Sequence, residues 1–231
     1  MTAIAIFVKT PGLSPVKSRL AADIGKDRAE QWHLMAAKAV AAAAKAAAIG
    51  PVYWAVAEAG AAQHPYWDDQ PVLVQQPGGL GRRMSGIHRH LVQRHGSALL
   101  LGADAPQWPL AWLQQAADWL QHDDARLCLG PAHDGGFWTF AANRLLPEAD
   151  WVSVDYSQAT TGAEFRQRMD RHGQWLELPP LTDLDNVDAL PGLIRELERL
   201  EAPTDHQMGL MEWLRAFGGD GSRPRAGRQT R

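Results

Sequence analysis

The sequence predicts an α/β fold built on a mostly parallel, doubly wound sheet, and three observations carry that prediction. Short apolar runs of strand length alternate along the chain with longer helical patterns. Several of those runs, 3–8 and 98–101 among them, are apolar at nearly every position, as strands covered on both faces must be. The connections are short, and alternation of this kind makes βαβ units with right-handed crossovers.

Taken in order, the first strand is expected at 3–8, where Lys9 and Pro11 end the apolar run. A helix over 28–49 follows, rich in alanine, the strongest helix former, and stopped by Gly50-Pro51. Strands at 52–56 and 72–75 lead to a helix over 82–94, with His88 and His90 on its exposed side. A strand at 98–101 precedes a helix over 110–121, whose Leu110, Leu113, Ala117 and Leu120 form one stripe. Strands at 126–129 and 137–141 come next, then an irregular stretch over 143–161 that reads as an insertion or flap. The last strand is expected at 175–178, before helices at 188–200 and 206–217. Residues 1–217 are thus expected as one domain. Residues 218–231 are rich in Gly and Arg without apolar periodicity, and read as a disordered basic tail.

Composition narrows the function. Hydrophobic residues make up 45% of 231, enough for a sizeable core. A net charge of −3 argues against a general nucleic-acid binder, whose footprint is a basic surplus. Cys128 is the only cysteine, so no internal disulfide forms, and its place between Leu127 and Leu129 suits a small buried hydrophobe. The run at 3–8 is too short for a signal peptide or a membrane span. A soluble, cytoplasmic protein is expected, with a homodimer left open. Most of the ten tryptophans should be core residues.

Ligands of doubly wound sheets bind beyond the carboxyl ends of the strands, so four strand-end segments matter most. The loop Lys9-Thr10-Pro11-Gly12 through Val16-Lys17-Ser18-Arg19-Leu20 carries three cations and no acid. It suits phosphate oxygens, or is a solvated basic loop. Gly102-Ala103-Asp104-Ala105-Pro106 ends a greasy strand in one carboxylate, which suits Mg²⁺ or Mn²⁺, or caps the helix beginning near Pro109. Gly130-Pro131-Ala132-His133-Asp134-Gly135-Gly136 lets a ligand approach the backbone and offers Asp134 to sugar hydroxyls, or is an ordinary Asp-Gly hairpin turn. In Thr182-Asp183-Leu184-Asp185-Asn186 the two acids share one face of an extended segment and could meet one cation, or offset a helix dipole.

Other chemistries lack their motifs. No Walker loop, dinucleotide glycine fingerprint or Gly-x-Ser-x-Gly is present, and the nine histidines show no metal-spaced pair backed by a third ligand.

In this order the segments resemble a bacterial group of glycosyltransferase-like proteins, the radical-SAM/selenodomain-associated transferase 1 family, or domain of unknown function 2064. Gln75-Gln76 and Leu80-Gly81-Arg82-Arg83-Met84 continue the match. That family is similar to the GT-A superfamily, which implies a GT-A-like three-layer sandwich binding a nucleotide-diphosphate sugar. More distantly the opening is similar to phospholactate guanylyltransferases, which act on an NTP. The resemblance implies that Lys9, Pro11, Gly12, Lys17, Arg19, Gly81 and Arg83 meet the nucleotide or its phosphates. It further implies that Asp104, Asp183 and Asp185 hold Mg²⁺ or Mn²⁺, and that Asp134, Gly135 and Gly136 face the transferred group. Asp134 and Lys17 are the expected catalytic residues. Many GT-A transferases have Asp-x-Asp where Ala103 and Ala105 flank Asp104 here, so the second carboxylate must come from Asp183 or Asp185.

Overall fold

The computed structural model describes residues 1–219; of the tail expected over 218–231, Gly218 and Gly219 complete the last helix, and 220–231 lie outside the described residues. Seven strands form one sheet: β1 Thr2–Val8, β2 Val52–Val56, β3 Val72–Val74, β4 Ser97–Gly102, β5 Arg126–Pro131, β6 Phe137–Ala142 and β7 Gln174–Glu177. Their spatial order is β3-β2-β1-β4-β6-β5-β7. β6 runs antiparallel to both its neighbours, β4 and β5, while every other pair is parallel. Six strands therefore point their carboxyl ends at the same edge.

Helices cover both faces: α1 Ser18–Ile24, α2 Lys26–Ala46, α3 Leu80–His95, α4 Leu110–Leu120, α5 Glu148–Val152, α6 Thr161–Met169, α7 Leu190–Glu198 and α8 Asp205–Gly219. Alternation along β1 divides the core. Ile4, Ile6 and Val8 pack with Val40, Ala44 and Leu113 on the α2/α4 side, whereas Ala3 and Ala5 join Leu91, Trp151 and Phe165 on the other. The α/β three-layer architecture is as expected. The alanines of α2 have a packing reason. One face presses on the sheet through Ala37, Ala41 and Ala44, and the opposite face meets α7 and α8 through Ala29, Trp32 and Ala36. A helix buried on two sides needs small side chains all round.

Three expectations are corrected. The loop after β1 ends at Lys17, and α1 begins at Ser18, so Arg19 stands on a helix. The irregular stretch over 143–161 is interrupted by one short helix, α5, whose Trp151 is completely buried against Phe140 and Phe165. Periodicity misses α5 because five residues make little more than one turn. His88 is buried at 1% exposure between Phe140 and Trp151, not on the solvent side, and His90 alone of that pair is exposed. Burial pushes the His88 ring down to about 3, so it is neutral at physiological pH. Cys128 is buried as expected, as are Trp32, Trp54, Trp67, Trp108 and Trp151. No helix among the described residues is long and apolar enough to cross a membrane.

Candidate active site at the carboxyl edge of the sheet

β1 and β4 lie side by side with Phe7 opposite Gly102, so the loops that follow them leave the same edge together. The β1 loop turns at Thr10, whose carbonyl accepts from the Leu13 and Ser14 amides, with Gly12 at φ 88° inside the turn. Thr10 is itself fixed: its amide donates to Glu58 Oε2 at 3.1 Å and its hydroxyl accepts from Trp67 Nε1 at 2.9 Å. The loop ends at Lys17, in the left-handed region at φ 45° and ψ 46°, a conformation costing about 1 kcal/mol for a residue with a Cβ.

That residue sits at the centre of the site. Lys17 Nζ lies 3.2 Å from Asp104 Oδ2, 3.0 Å from Asp183 Oδ1 and 3.2 Å from Asp185 Oδ1, and its side chain is 4% exposed. Arg19 reaches Asp185 Oδ2 at 3.3 Å from the solvent side. The carboxylates arrive by different routes. Asp104 follows β4 directly. The segment before Asp183 is fastened beside β5, with Leu181 N donating to the Pro131 carbonyl and His133 N to that of Leu181. Asp183 and Asp185 point the same way, as spacing of two in an extended segment requires.

Three negative charges face two positive ones, and the titrations follow. Burial alone would lower the Lys17 ammonium, but Asp104, Asp183 and Asp185 outweigh it and hold its pKa above the usual range. For Asp104 burial is likewise overcome, by the Lys17 charge, which keeps the carboxyl well below its usual value. Asp183 moves the other way, raised to about 6 by burial and by Asp104 against the pull of Lys17. Among the described residues no group of three His, Cys, Asp or Glu side chains stands in the arrangement of a metal site, and the Lys17 ammonium contacts all three carboxylates. The donor set nevertheless fits a hard divalent cation. Carboxylates exceed cations, and Asp104 Oδ1 is buried without a hydrogen-bond partner.

Asp134 stands in a turn of its own. Its Oδ1 accepts from the Gly136 amide at 2.9 Å, an Asx turn that leaves the side chain exposed. Gly135 has φ 90°, and a Cβ there would lie 1.9 Å from the Ala159 carbonyl oxygen. Gly162 N donates to the Gly135 carbonyl at 2.8 Å, so α6 starts directly on this turn. Of the other expected residues, Lys9 and Gly12 are exposed and Pro11 is buried. Gly81 is also buried: a Cβ would come within 2.2 Å of the Trp151 carbonyl, so this glycine lets α3 close on α5. Arg83 is half-buried and donates from Nε to the Gly78 carbonyl at 2.8 Å.

Three residues escape a reading by motif. Glu196 on α7 accepts from the Thr182 amide and hydroxyl and from Gln107 Nε2, tying the Asp183 segment to the chain just after Asp104. His33, on α2, bonds through Nε2 to the Lys9 carbonyl at 2.9 Å and turns Nδ1 toward Asp104. Gln107, two residues beyond Ala105, carried a usable signal as a buried amide beside a strand end. Glu196 and His33 lie in helical patterns, where nothing local separates them from surface polar residues.

The family described as uncharacterized protein conserved in bacteria (DUF2064) matches residues 24–158. No curated protein matches the chain. Among solved structures, the chain is similar to the provisionally named nucleotide-diphospho-sugar transferase of Desulfovibrio desulfuricans G20, at TM-score 0.80 and 23% identity, over 93% of this chain and 95% of that one. It is similar also to CMP:2-keto-3-deoxy-manno-octonic acid synthetase complexed with CTP, at TM-score 0.51 and 11% identity, over 83% and 96%. A third is the provisionally named glucose-1-phosphate thymidylyltransferase of Bacillus anthracis, at TM-score 0.51 and 11% identity, over 90% and 99%. At these identities the likeness establishes a shared fold.

Proposed function

The chain belongs to the DUF2064 family, and from that premise we propose that it transfers a glycosyl group from a nucleotide-diphosphate sugar to an acceptor, with Mg²⁺ or Mn²⁺ as cofactor. One observation carries the reading: Lys17 gathers Asp104, Asp183 and Asp185 within 3.2 Å at the edge where ligands of doubly wound sheets bind. A carboxylate cluster with surplus negative charge repels a diphosphate unless a cation mediates. Asp104 with Asp183 or Asp185 would hold that cation, phosphate oxygens and water filling its remaining positions. When bound, the ion neutralises charge developing on the departing diphosphate.

The chain's own groups do the rest. Lys17, released in part from its carboxylates, donates to the phosphates as a point charge, and Arg19 offers a two-pronged donor from the solvent side. Lys9 adds a further cation, and the Pro11-Gly12 turn brings backbone close to the ligand. Arg83 extends the nucleotide contact at the start of α3, where Gly81 permits the helix to pack. The second oxygen of Asp134 accepts from hydroxyls of the transferred sugar, with Gly135 and Gly136 forming the turn that presents it. The fold shared with the Desulfovibrio protein supports this choice of donor.

Nucleotidyl transfer, in which a substrate phosphate attacks an NTP and pyrophosphate leaves, is the second reading, supported by the fold shared with the CTP-bound synthetase. Thermal-shift titration with NTPs and nucleotide sugars, with and without Mn²⁺, separates the two. Greater stabilisation by a nucleotide sugar than by its NTP supports glycosyl transfer, and the reverse supports nucleotidyl transfer. No response to either would leave a fold that has lost its substrate, and would overturn both.

A further inference from the structure

His33 is 5% exposed, and its two ring nitrogens face different partners. Nε2 lies 2.9 Å from the Lys9 carbonyl oxygen, which can only accept, so Nε2 carries a proton and donates it. In the neutral ring Nδ1 is then a lone pair. It has no hydrogen-bond partner, and it lies 3.7 Å from Asp104 Oδ1, which is also buried and partnerless. Two acceptors facing each other out of water are an unfavourable pair unless a proton or a metal ion lies between them: a proton on Nδ1 makes the contact with His33 that helps hold the Asp104 carboxyl low, and a metal ion makes the two atoms a shared ligand pair.

Metal-bound imidazoles show the same arrangement: one nitrogen on the ion, the other donating to a backbone carbonyl that fixes tautomer and ring orientation. Two donors about 2.1 Å from one ion lie roughly 3.0 Å apart at a right angle and roughly 3.4 Å apart at a tetrahedral angle. The observed 3.7 Å closes to that range with a small rotation of the Asp104 carboxyl. Lys17 contacts the other oxygen, Oδ2, so the ammonium and an ion on Oδ1 occupy separate oxygens of one carboxylate.

We propose that His33 Nδ1 and Asp104 Oδ1 together ligate the divalent cation of this site, which therefore selects a nitrogen-accepting ion such as Mn²⁺ over Mg²⁺. The preference follows from the donors: imidazole suits first-row transition metals, while Mg²⁺ takes oxygen almost exclusively. The inference rests on the metal-assisted reading above and adds a ligand to it.

The test is electron spin-echo spectroscopy of the full chain loaded with Mn²⁺, alone and with inorganic pyrophosphate. Wild-type protein should show modulation from a directly coupled ¹⁴N that changes when histidine is ¹⁵N-labelled, a readout needing no variant. His33→Gln should lose the modulation, and at least tenfold of any preference for Mn²⁺ over Mg²⁺ in competition. Mn²⁺ bound in an Asp104-dependent way without nitrogen modulation overturns this inference and leaves the proposed function standing. Absence of any Asp104-dependent Mn²⁺ binding, even with pyrophosphate, overturns both.

Discussion

Thr182 and Glu196 are joined twice: the Thr182 amide donates to Glu196 Oε2 at 3.0 Å and its hydroxyl to Oε1 at 2.7 Å. Gln107 Nε2 bridges the same carboxylate, at 2.9 Å, and the Thr182 carbonyl, at 2.6 Å. The residue before Asp183 is thereby held against the residues after Asp104. Glu196→Ala strips acceptors from these part-buried donors, a loss of about 1–3 kcal/mol. Calorimetry should show a fall of roughly 2–4 °C in Tm per kcal/mol. Glu196→Gln, which keeps one acceptor, should lose less. Unchanged melting in both variants would show that the double bond pins nothing.

Lys17→Met keeps the length of the side chain and removes the one buried cation of the cluster. Roughly 3 kcal/mol should be lost at pH 8, the low end for a broken buried pair because the carboxylates are partly exposed. Without the ammonium, the folded-state carboxyl pKa values rise above their unfolded values, so the variant is favoured at low pH and its deficit grows as pH rises through that range. Melting at pH 4.5 and pH 8 reads the sign. Millimolar Mn²⁺ should restore part of the loss at pH 8, and a deficit indifferent to both pH and metal would contradict the charge argument.

Asp183→Asn should act in the opposite direction. Its carboxyl titrates at about 6 in the folded protein, raised by burial and by Asp104 above the ordinary carboxylate value. A raised acid pKa means the folded state holds its proton longer, so stability falls as pH climbs from about 4 to 6. The asparagine variant should match the parent below that window and melt higher above it, in the absence of metal. Binding of metal and nucleotide should weaken at the same time. A variant less stable at pH 8 would mean that Lys17 outweighs Asp104 at this carboxyl.

Gly135→Ala puts a Cβ where φ is 90° and the Ala159 carbonyl stands 1.9 Å away. Backbone cannot yield as a flexible side chain does, so the turn and the start of α6 must separate. A loss above about 2 kcal/mol is expected, with increased proteolysis near 157–162. Wild-type stability would show that this turn is looser than its contacts imply.

Arg19→Ala should leave melting within about 0.5 kcal/mol, since the Arg19 side chain is 78% exposed and its pair with Asp185 lies on the surface. Affinity for a nucleotide diphosphate should still fall about tenfold or more, through loss of a charge-assisted contact. Isothermal titration that finds equal affinity would return Arg19 to the role of a solvated surface residue.

How much of this was legible before the structure depends on range. Each strand from β1 to β7 lies within a residue or two of its expected place, because continuous apolar runs are local and strands covered on both faces demand them. Asp104, Asp183 and Asp185 were grouped by resemblance, and their meeting at one atom depends on sheet order, which no window of sequence contains. The sequence presents Lys17 as a phosphate donor and gives no sign of its contact with three carboxylates; a lysine in a basic loop looks the same either way. α5 was lost because its burial comes from Trp151 wedging between Phe140 and Phe165, contacts made across the sheet face. His33 and Glu196 were invisible for a related reason, since each acts on a loop far away in the chain.

Lys17 and Asp183 are separated by 166 positions, and Asp183 by a further 13 from the Glu196 that braces its neighbour. A contact of such span pays a loop-closure entropy that local helices and hairpins do not. During synthesis on the ribosome Lys17 and Asp104 emerge well before Asp183 and Asp185, so the cluster is complete only once about four fifths of the chain is made. A chain halted after β6 would therefore carry most of the core residues yet lack both Asp183 and Asp185, two of the three carboxylates that Lys17 contacts.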